Sequence, residues 1–321
     1  MQHTLARAAI FAALVVTTVA AACGGEPAAK VTQTPGPARA PVLAPTPTQT
    51  WSASGDGIDA VFATPDLAPG KQRVAFVLSD DRGLVRLPAV QVSSYRYAGG
   101  SGAGTREGPV QTVTARFYEF PLGTRGIYVT GLDFAGPGDW AVEADVPRPD
   151  GRTSKVEIRF PVGERTRSVA VGEQPPPSRN KTLKDVLSIA QLTTGTHRDP
   201  ELYQTTIAEA AKSGKPTVVV FASPAFCTNA VCGPQVEVLS EIRQRYGGKA
   251  NFIHVDYYDN PHEVQGDLDK AVLSPVLAEW GLDSKEWTFV IGRDGVVSAR
   301  FENFAPAEEI IAALDAALGQ G

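Results

Sequence analysis

Residues 216–235 read P-T-V-V-V-F-A-S-P-A-F-C-T-N-A-V-C-G-P-Q, and the fold is decided there. Thr217–Ala222 is a short apolar, β-branched run after a Lys-Pro step, the pattern of a buried central strand. The chain turns through Ser223-Pro224 and passes Phe226 to Cys227, and Cys232 follows after four intervening residues. Gly233-Pro234 then opens an amphipathic helix with Leu239, Ile242 and Tyr246 on one face and Gly247 as its stop. A strand that delivers two cysteines to a helix N-terminus is laid out for thiol chemistry. Free backbone N–H groups and the helix dipole favour a thiolate there.

Elements of matching length flank this stretch. Asp199-Pro200-Glu201 predicts a helix start, Asp as cap and Pro at the first helical position, running to about Ser213 and burying Tyr203, Ile207 and Ala210. Downstream come a strand over 251–257, a helical region to Trp280 restarting at Ser274-Pro275, and a strand over Trp287–Ile291. Arg293-Asp294-Gly295 makes a tight turn into a hairpin partner over 296–301, and 306–318 is a closing helix with Ile311, Leu314 and Leu318 inward. Trp280 and Trp287 read as packing residues, and the acidic stretch 256–269, which lacks the oxygen spacing of a calcium loop, as a solvated loop.

The resulting order, helix-strand-helix-strand-helix-strand-strand-helix, resembles the thioredoxin superfamily over residues 199–321. The strand-to-cysteine junction, Cys232-Gly233-Pro234 and the W-T-F-V-I-G-R-D-G-V-V run from Trp287 carry the likeness. It implies an α/β fold and a redox-active Cys227/Cys232 disulfide, with Pro224, Phe226, Gly233, Pro234, Trp287 and Thr288 around it and no cofactor or metal. One cysteine attacks a partner disulfide and the other resolves the mixed disulfide. Cys227, on the loop, is the expected attacking thiol, although the helix dipole favours Cys232. The departures are specific. Four residues rather than two separate the cysteines, and Gln235 stands where a Cys-Gly-Pro-Cys alignment needs the second cysteine. Trp287 stands where the family places a cis-proline before Thr288. The family's buried acid is absent from the central strand, which reads Val219, Val220, Phe221.

Two other families come close: the first has a similar spacing, and the second differs from it by one residue. Q-type peroxiredoxins pair cysteines this way, but Pro224 and Glu286 replace the Thr and Arg that polarise a peroxide. Copper chaperones of the Sco type add a histidine, for which His254, inside an apolar strand, or His262, in an acidic loop, would have to serve. The bland alternative is a permanent disulfide on a domain that binds rather than catalyses.

Residues 51–172 have strand character throughout. Val74, Phe76 and Leu78 alternate, as do Val113, Ala115 and Phe117, then Trp140, Val142 and Ala144, then Val156, Ile158 and Phe160 against Lys155, Glu157 and Arg159. Six or seven short strands separated by Gly/Pro turns predict an all-β sandwich of immunoglobulin-like type. The region holds no His or Cys, and its glycine run at 99–104 lacks the Lys-Ser/Thr of a phosphate loop. Residues 173–198, opening with Q-P-P-P at 174–177, read as a proline linker to the second domain.

At the N-terminus, residues 1–23 have a basic start, a short apolar segment and Ala20-Ala21-Ala22-Cys23, which resembles a lipoprotein signal with Cys23 as the lipidated residue. Residues 24–50, rich in Pro, Ala and Thr, form a tether that could reach on the order of 80 Å at ~3.1 Å per residue. The chain is therefore expected outside the cytoplasmic membrane and anchored to its outer face, where disulfides persist. A formal charge of −5 without a basic run argues against nucleic acid. The expected partners are exported thiol or disulfide proteins and a membrane-bound or secreted electron carrier, and the expected activity is thiol–disulfide exchange.

Overall fold

The computed structural model describes residues 51–99, 104–121, 123, 125–226, 232–284 and 286–319. The expected signal, Cys23 and the tether lie outside them, as does Cys227.

Nine strands build the first sheet: β1 (Trp51–Gly55), β2 (Ile58–Phe62), β3 (Gly70–Asp80), the short β4 (Gly83–Leu84), β5 (Ala89–Ala98), β6 (Thr105–Glu119), β7 (Gly126–Phe134), β8 (Gly138–Pro147) and β9 (Thr153–Val162). Every pairing is antiparallel, in the order β1-β2-β3-β7-β6-β5-β8-β9 with β4 on β3. The hydrogen-bonded path is continuous, and its two ends meet: a Cβ on Gly55 of β1 would stand 2.8 Å from the Lys155 carbonyl of β9. Alternation does what it predicts. Val156, Ile158 and Phe160 are buried while Lys155 and Arg159 face water. Phe62 stacks on Phe160 at 4.2 Å, and Trp140, on Phe134, donates its indole N–H to the Gly136 carbonyl.

The second sheet has four strands in the order β11-β10-β12-β13. β10 (Thr217–Ala222) is central and wholly buried, parallel to β11 (Asn251–Asp256) and antiparallel to β12 (Trp287–Ile291), which pairs with β13 (Val297–Glu302). The helices are α1 (Ile207–Ala210), α2 (Cys232–Tyr246), α3 (Pro261–Val264), α4 (Pro275–Glu279) and α5 (Ala307–Leu318). A strand buried on both faces reads as an unbroken apolar run, and β10 serves two cores. Val218, Val220 and Ala222 join Leu239 and Ile242 of α2 and Ile310 and Leu314 of α5, whereas Val219 and Phe221 join α1, α4 and Trp280.

Three expectations need correction. The helix predicted over 199–213 is broken: a 3₁₀ turn at Pro200–Tyr203, capped by Asp199, is followed by α1 under its own cap. The Thr206 hydroxyl accepts from the Glu209 amide and Glu209 reaches back to the Thr206 amide, a capping box that restarts the helix where a β-branched pair interrupts it. In α5 the inward residue is Ile310, with Ile311 half-buried. The linker over 173–198 is docked rather than free. Glu173 accepts from the Val297 amide, Ser178 accepts from the Trp280 indole and the Ala208 amide, and Asn180 accepts from the Ile207 amide.

The two sheets share a core. Ala75, Phe120, Ile127 and Val129 of the first pack in one cluster with Phe301, Phe304 and Ala305 of the second, and the rings of Phe120 and Phe304 lie 4.3 Å apart. Arg73 forks onto Glu309 at 2.8–3.1 Å and also donates to the carbonyls of Glu302 and Phe304. Asp66 takes the Arg300 guanidinium at 3.0 Å together with the amides of Arg167 and Ser168.

Candidate active site

β10 ends at Ala222, and its last residues fix everything beyond them. Ser223 and Pro224 turn the chain, the Phe226 amide donates to the Ser223 carbonyl at 3.1 Å, and the half-buried Phe226 ring meets Tyr258 edge-on at 6.0 Å. Cys232 begins α2, is fully buried and is disulfide-bonded. The chain's two other cysteines, Cys23 and Cys227, both lie outside the described residues. Gly233 lies beside the turn, where a Cβ would make an ordinary contact with the Pro224 carbonyl at 3.9 Å; Pro234 is half-buried in the same helical turn. Gln235 is not a substitute thiol but a clasp. Its side chain donates to the Ala305 carbonyl at 3.2 Å and accepts from the Ala305 amide at 2.8 Å, tying α2 to the segment before α5.

On the neighbouring strand, Trp287 pairs with Phe221 and Thr288 with Val220. Trp287 is fully buried, stacks on Phe289 and donates to the Ser284 hydroxyl at 2.9 Å. The Thr288 hydroxyl has no hydrogen-bond partner among the described residues. Glu286, just before β12, is buried at a φ of +89°, and among the described residues neither of its carboxyl oxygens finds a hydrogen-bond partner. Burial holds that carboxyl well above the ordinary range.

The sequence reading missed a polar shell beneath the turn. His254 is fully satisfied: Nε2 donates to the Ala222 carbonyl at 3.0 Å, which leaves Nδ1 to accept from the Tyr203 hydroxyl at 2.7 Å. Burial pushes its pKa down to about 4, so it is a neutral support for the strand end rather than a ligand in waiting. Asp256 corrects the reading of 256–269 as solvated, because it is buried opposite Ala222. Its carboxylate accepts from the Thr194 amide and hydroxyl at 2.7 and 2.8 Å and from the Tyr258 amide at 3.0 Å. Burial outweighs those bonds and pushes its pKa up to about 6. An acid is therefore buried beside the central strand after all, contributed by β11. Its signal was available: Asp256 lies between Val255 and Tyr257 at the end of a β-branched and aromatic run.

No family model and no curated protein matches this chain. Among solved structures, a chain from Chlorobium tepidum assigned as the thiol:disulfide interchange protein DsbE is 16% identical with a TM-score of 0.35, covering 47% of this chain and 100% of that one. A thio-disulfide isomerase from Thermus thermophilus is 25% identical with a TM-score of 0.32, covering 46% and 97%. The exposed lipoprotein thioredoxin Etrx1 of Streptococcus pneumoniae is 14% identical with a TM-score of 0.26, covering 35% and 90%. The order of strands and helices expected of a thioredoxin-like region is the one observed in the second sheet, from β10 and α2 to β13 and α5.

Proposed function

We propose that this chain is an extracytoplasmic thiol–disulfide oxidoreductase working through a Cys227/Cys232 pair. The observation that carries the reading is a disulfide-bonded, fully buried Cys232 as the first residue of the helix that follows a central strand. A sulfur out of contact with solvent cannot meet a protein disulfide from outside, which supports Cys227 as the attacking thiol and Cys232 as the resolving one. The substrates are exported cysteine-containing proteins, and a membrane-bound or secreted carrier supplies or removes the electrons. Cys23 carries the lipid, the tether holds the folded part off the membrane, and the first sheet, one continuous path with meeting ends rather than the two packed sheets of the expected immunoglobulin-like sandwich, serves as the interaction surface.

Burial of Glu286 and Trp287 favours a second reading. The resemblance places there a cis-proline that shapes substrate binding, and this chain has the buried Trp287 instead. On this account the disulfide is a permanent staple in a binding or assembly factor. Thiol titration of the purified protein across a glutathione series, run beside insulin reduction, separates the two. A potential above about −250 mV argues for exchange, whereas structural bridges typically lie below about −300 mV. In cells, Cys232→Ser should trap a covalent partner at Cys227. If it traps none and insulin is not reduced, the oxidoreductase reading is wrong.

A further inference from the structure

Residues 193–195 belong to the stretch between the sheets, yet they are bonded to the strand-to-cysteine junction. The Thr194 hydroxyl gives its one proton to Asp256 at 2.8 Å and accepts from the Ala225 amide at 3.2 Å, with the Ser223 hydroxyl 3.1 Å away. The Thr194 amide adds a second bond to the same carboxylate oxygen, and the Tyr258 amide holds the other oxygen. Gly195 lies flush on the turn, because a Cβ there would meet Pro224 side-chain carbons at 3.1 Å. One carboxylate thus fixes one threonine, and that threonine fixes the turn two residues before Cys227.

A cavity of about 210 Å³ reaches the same carboxylate. Its lining includes Arg179, Lys181, His254, Asp256, Tyr258 and Asp259, so a buried group has a polar route to exchange protons with solvent. Tyr203 faces His254 from the 3₁₀ turn, and Lys181 is paired with Asp259 at 2.9 Å.

We propose that Thr194 and Asp256 are positioning residues for the cysteine pair, clamping the Ser223–Ala225 turn that leads into it. The inference rests on the exchange reading above. A protonated Asp256 has one oxygen fewer to accept with. The clamp loosens as pH falls through the Asp256 pKa of about 6, while His254, titrating near 4, and the tyrosines, pushed up by burial, stay neutral.

The test uses the full chain in mixtures of reduced and oxidised glutathione. Two glutathione thiols and the protein disulfide give two protein thiols and one glutathione disulfide, so one S–S bond breaks as another forms. The expected result is that Thr194→Val shifts the equilibrium constant by about 10-fold, about 30 mV for this two-electron couple. Thr194→Ser should bring it back to within about two-fold of wild type, because it restores the hydroxyl. The exchange rate of wild type should show an inflection near pH 6 that Asp256→Asn lacks. The clamp is overturned if Thr194→Val keeps the wild-type constant, or if Asp256→Asn keeps the inflection. Should Thr194→Val fail to fold by circular dichroism, the Asp256→Asn profile decides. A wild-type disulfide that no glutathione ratio reduces would overturn the exchange reading and the clamp together, whereas an unchanged Thr194→Val beside a wild type that equilibrates overturns the clamp alone.

Discussion

Glu302 and Glu286 face the same burial and meet it differently. Glu302 accepts from the Ser284 hydroxyl at 2.7 Å and the Asp66 amide at 2.9 Å, and burial pushes its pKa up to about 7. In the unfolded chain the same carboxyl titrates at its ordinary value of 4.5. Between those values the folded state keeps a proton that the unfolded state has released. Its contribution to stability is fully present below about pH 4.5 and is lost as pH rises to about 7, a change of roughly 3 kcal/mol. Glu302→Gln holds no such proton at any pH. Urea titrations of both proteins from pH 4.5 to 7.5 should show the wild type losing that amount relative to the variant, and a constant difference would refute the assignment. Glu286 has no hydrogen-bond partner among the described residues and no easy backbone, with its φ of +89°. Nothing in the residues around it marks such a position, because a single strained junction leaves no periodicity in a sequence.

At the scale of elements, periodicity was legible wherever one residue type repeated on one face. Val218 to Phe221 gave β10, Leu239, Ile242 and Tyr246 gave α2, and Ser274-Pro275 gave the start of α4. What could not be read was competition between local hydrogen bonds and a continuing helix, which is how Thr206 splits the segment 199–213. Thr206→Ala removes that cap and should cost about 1 kcal/mol in chemical denaturation. Gln235 makes the same point across space. It stands where a Cys-Gly-Pro-Cys alignment needs a cysteine, but its role is to satisfy both backbone groups of Ala305. Gln235→Leu keeps the volume and strands a buried N–H and a buried C=O, so the stability loss should be roughly 2–4 kcal/mol. Measured by urea unfolding, a loss below 1 kcal/mol would mean the clasp is dispensable.

The whole molecule is where the sequence said least. Proline-rich composition at 174–177 and the shift from strand to mixed pattern mark two regions, but neither says whether they touch. Contacts between distant parts of a chain depend on surface shape and charge placement, which no local window contains. Arg73 and Asp66 look like ordinary solvated charges in sequence, yet one forks onto Glu309 and the other anchors Arg300. Burial pushes Asp66 up, and Arg300 with the surrounding donors more than offsets it, so the carboxyl is held below its usual range. A core shared by Phe120 and Phe304, closed by these pairs, makes the two sheets one cooperative body rather than two modules on a string. Two-module behaviour would give separate unfolding transitions. Trp51 and Trp140 report on the first sheet and Trp280 with Trp287 on the second, so variants keeping one set or the other can follow each half through the same urea gradient. Their midpoints should coincide. Phe120→Ala, which empties the shared core from the first sheet's side, should lower both midpoints together by the equivalent of about 3 kcal/mol or more. If only the Trp140 signal moves while the Trp280 transition stays in place, the sheets unfold independently and their shared core does not couple them.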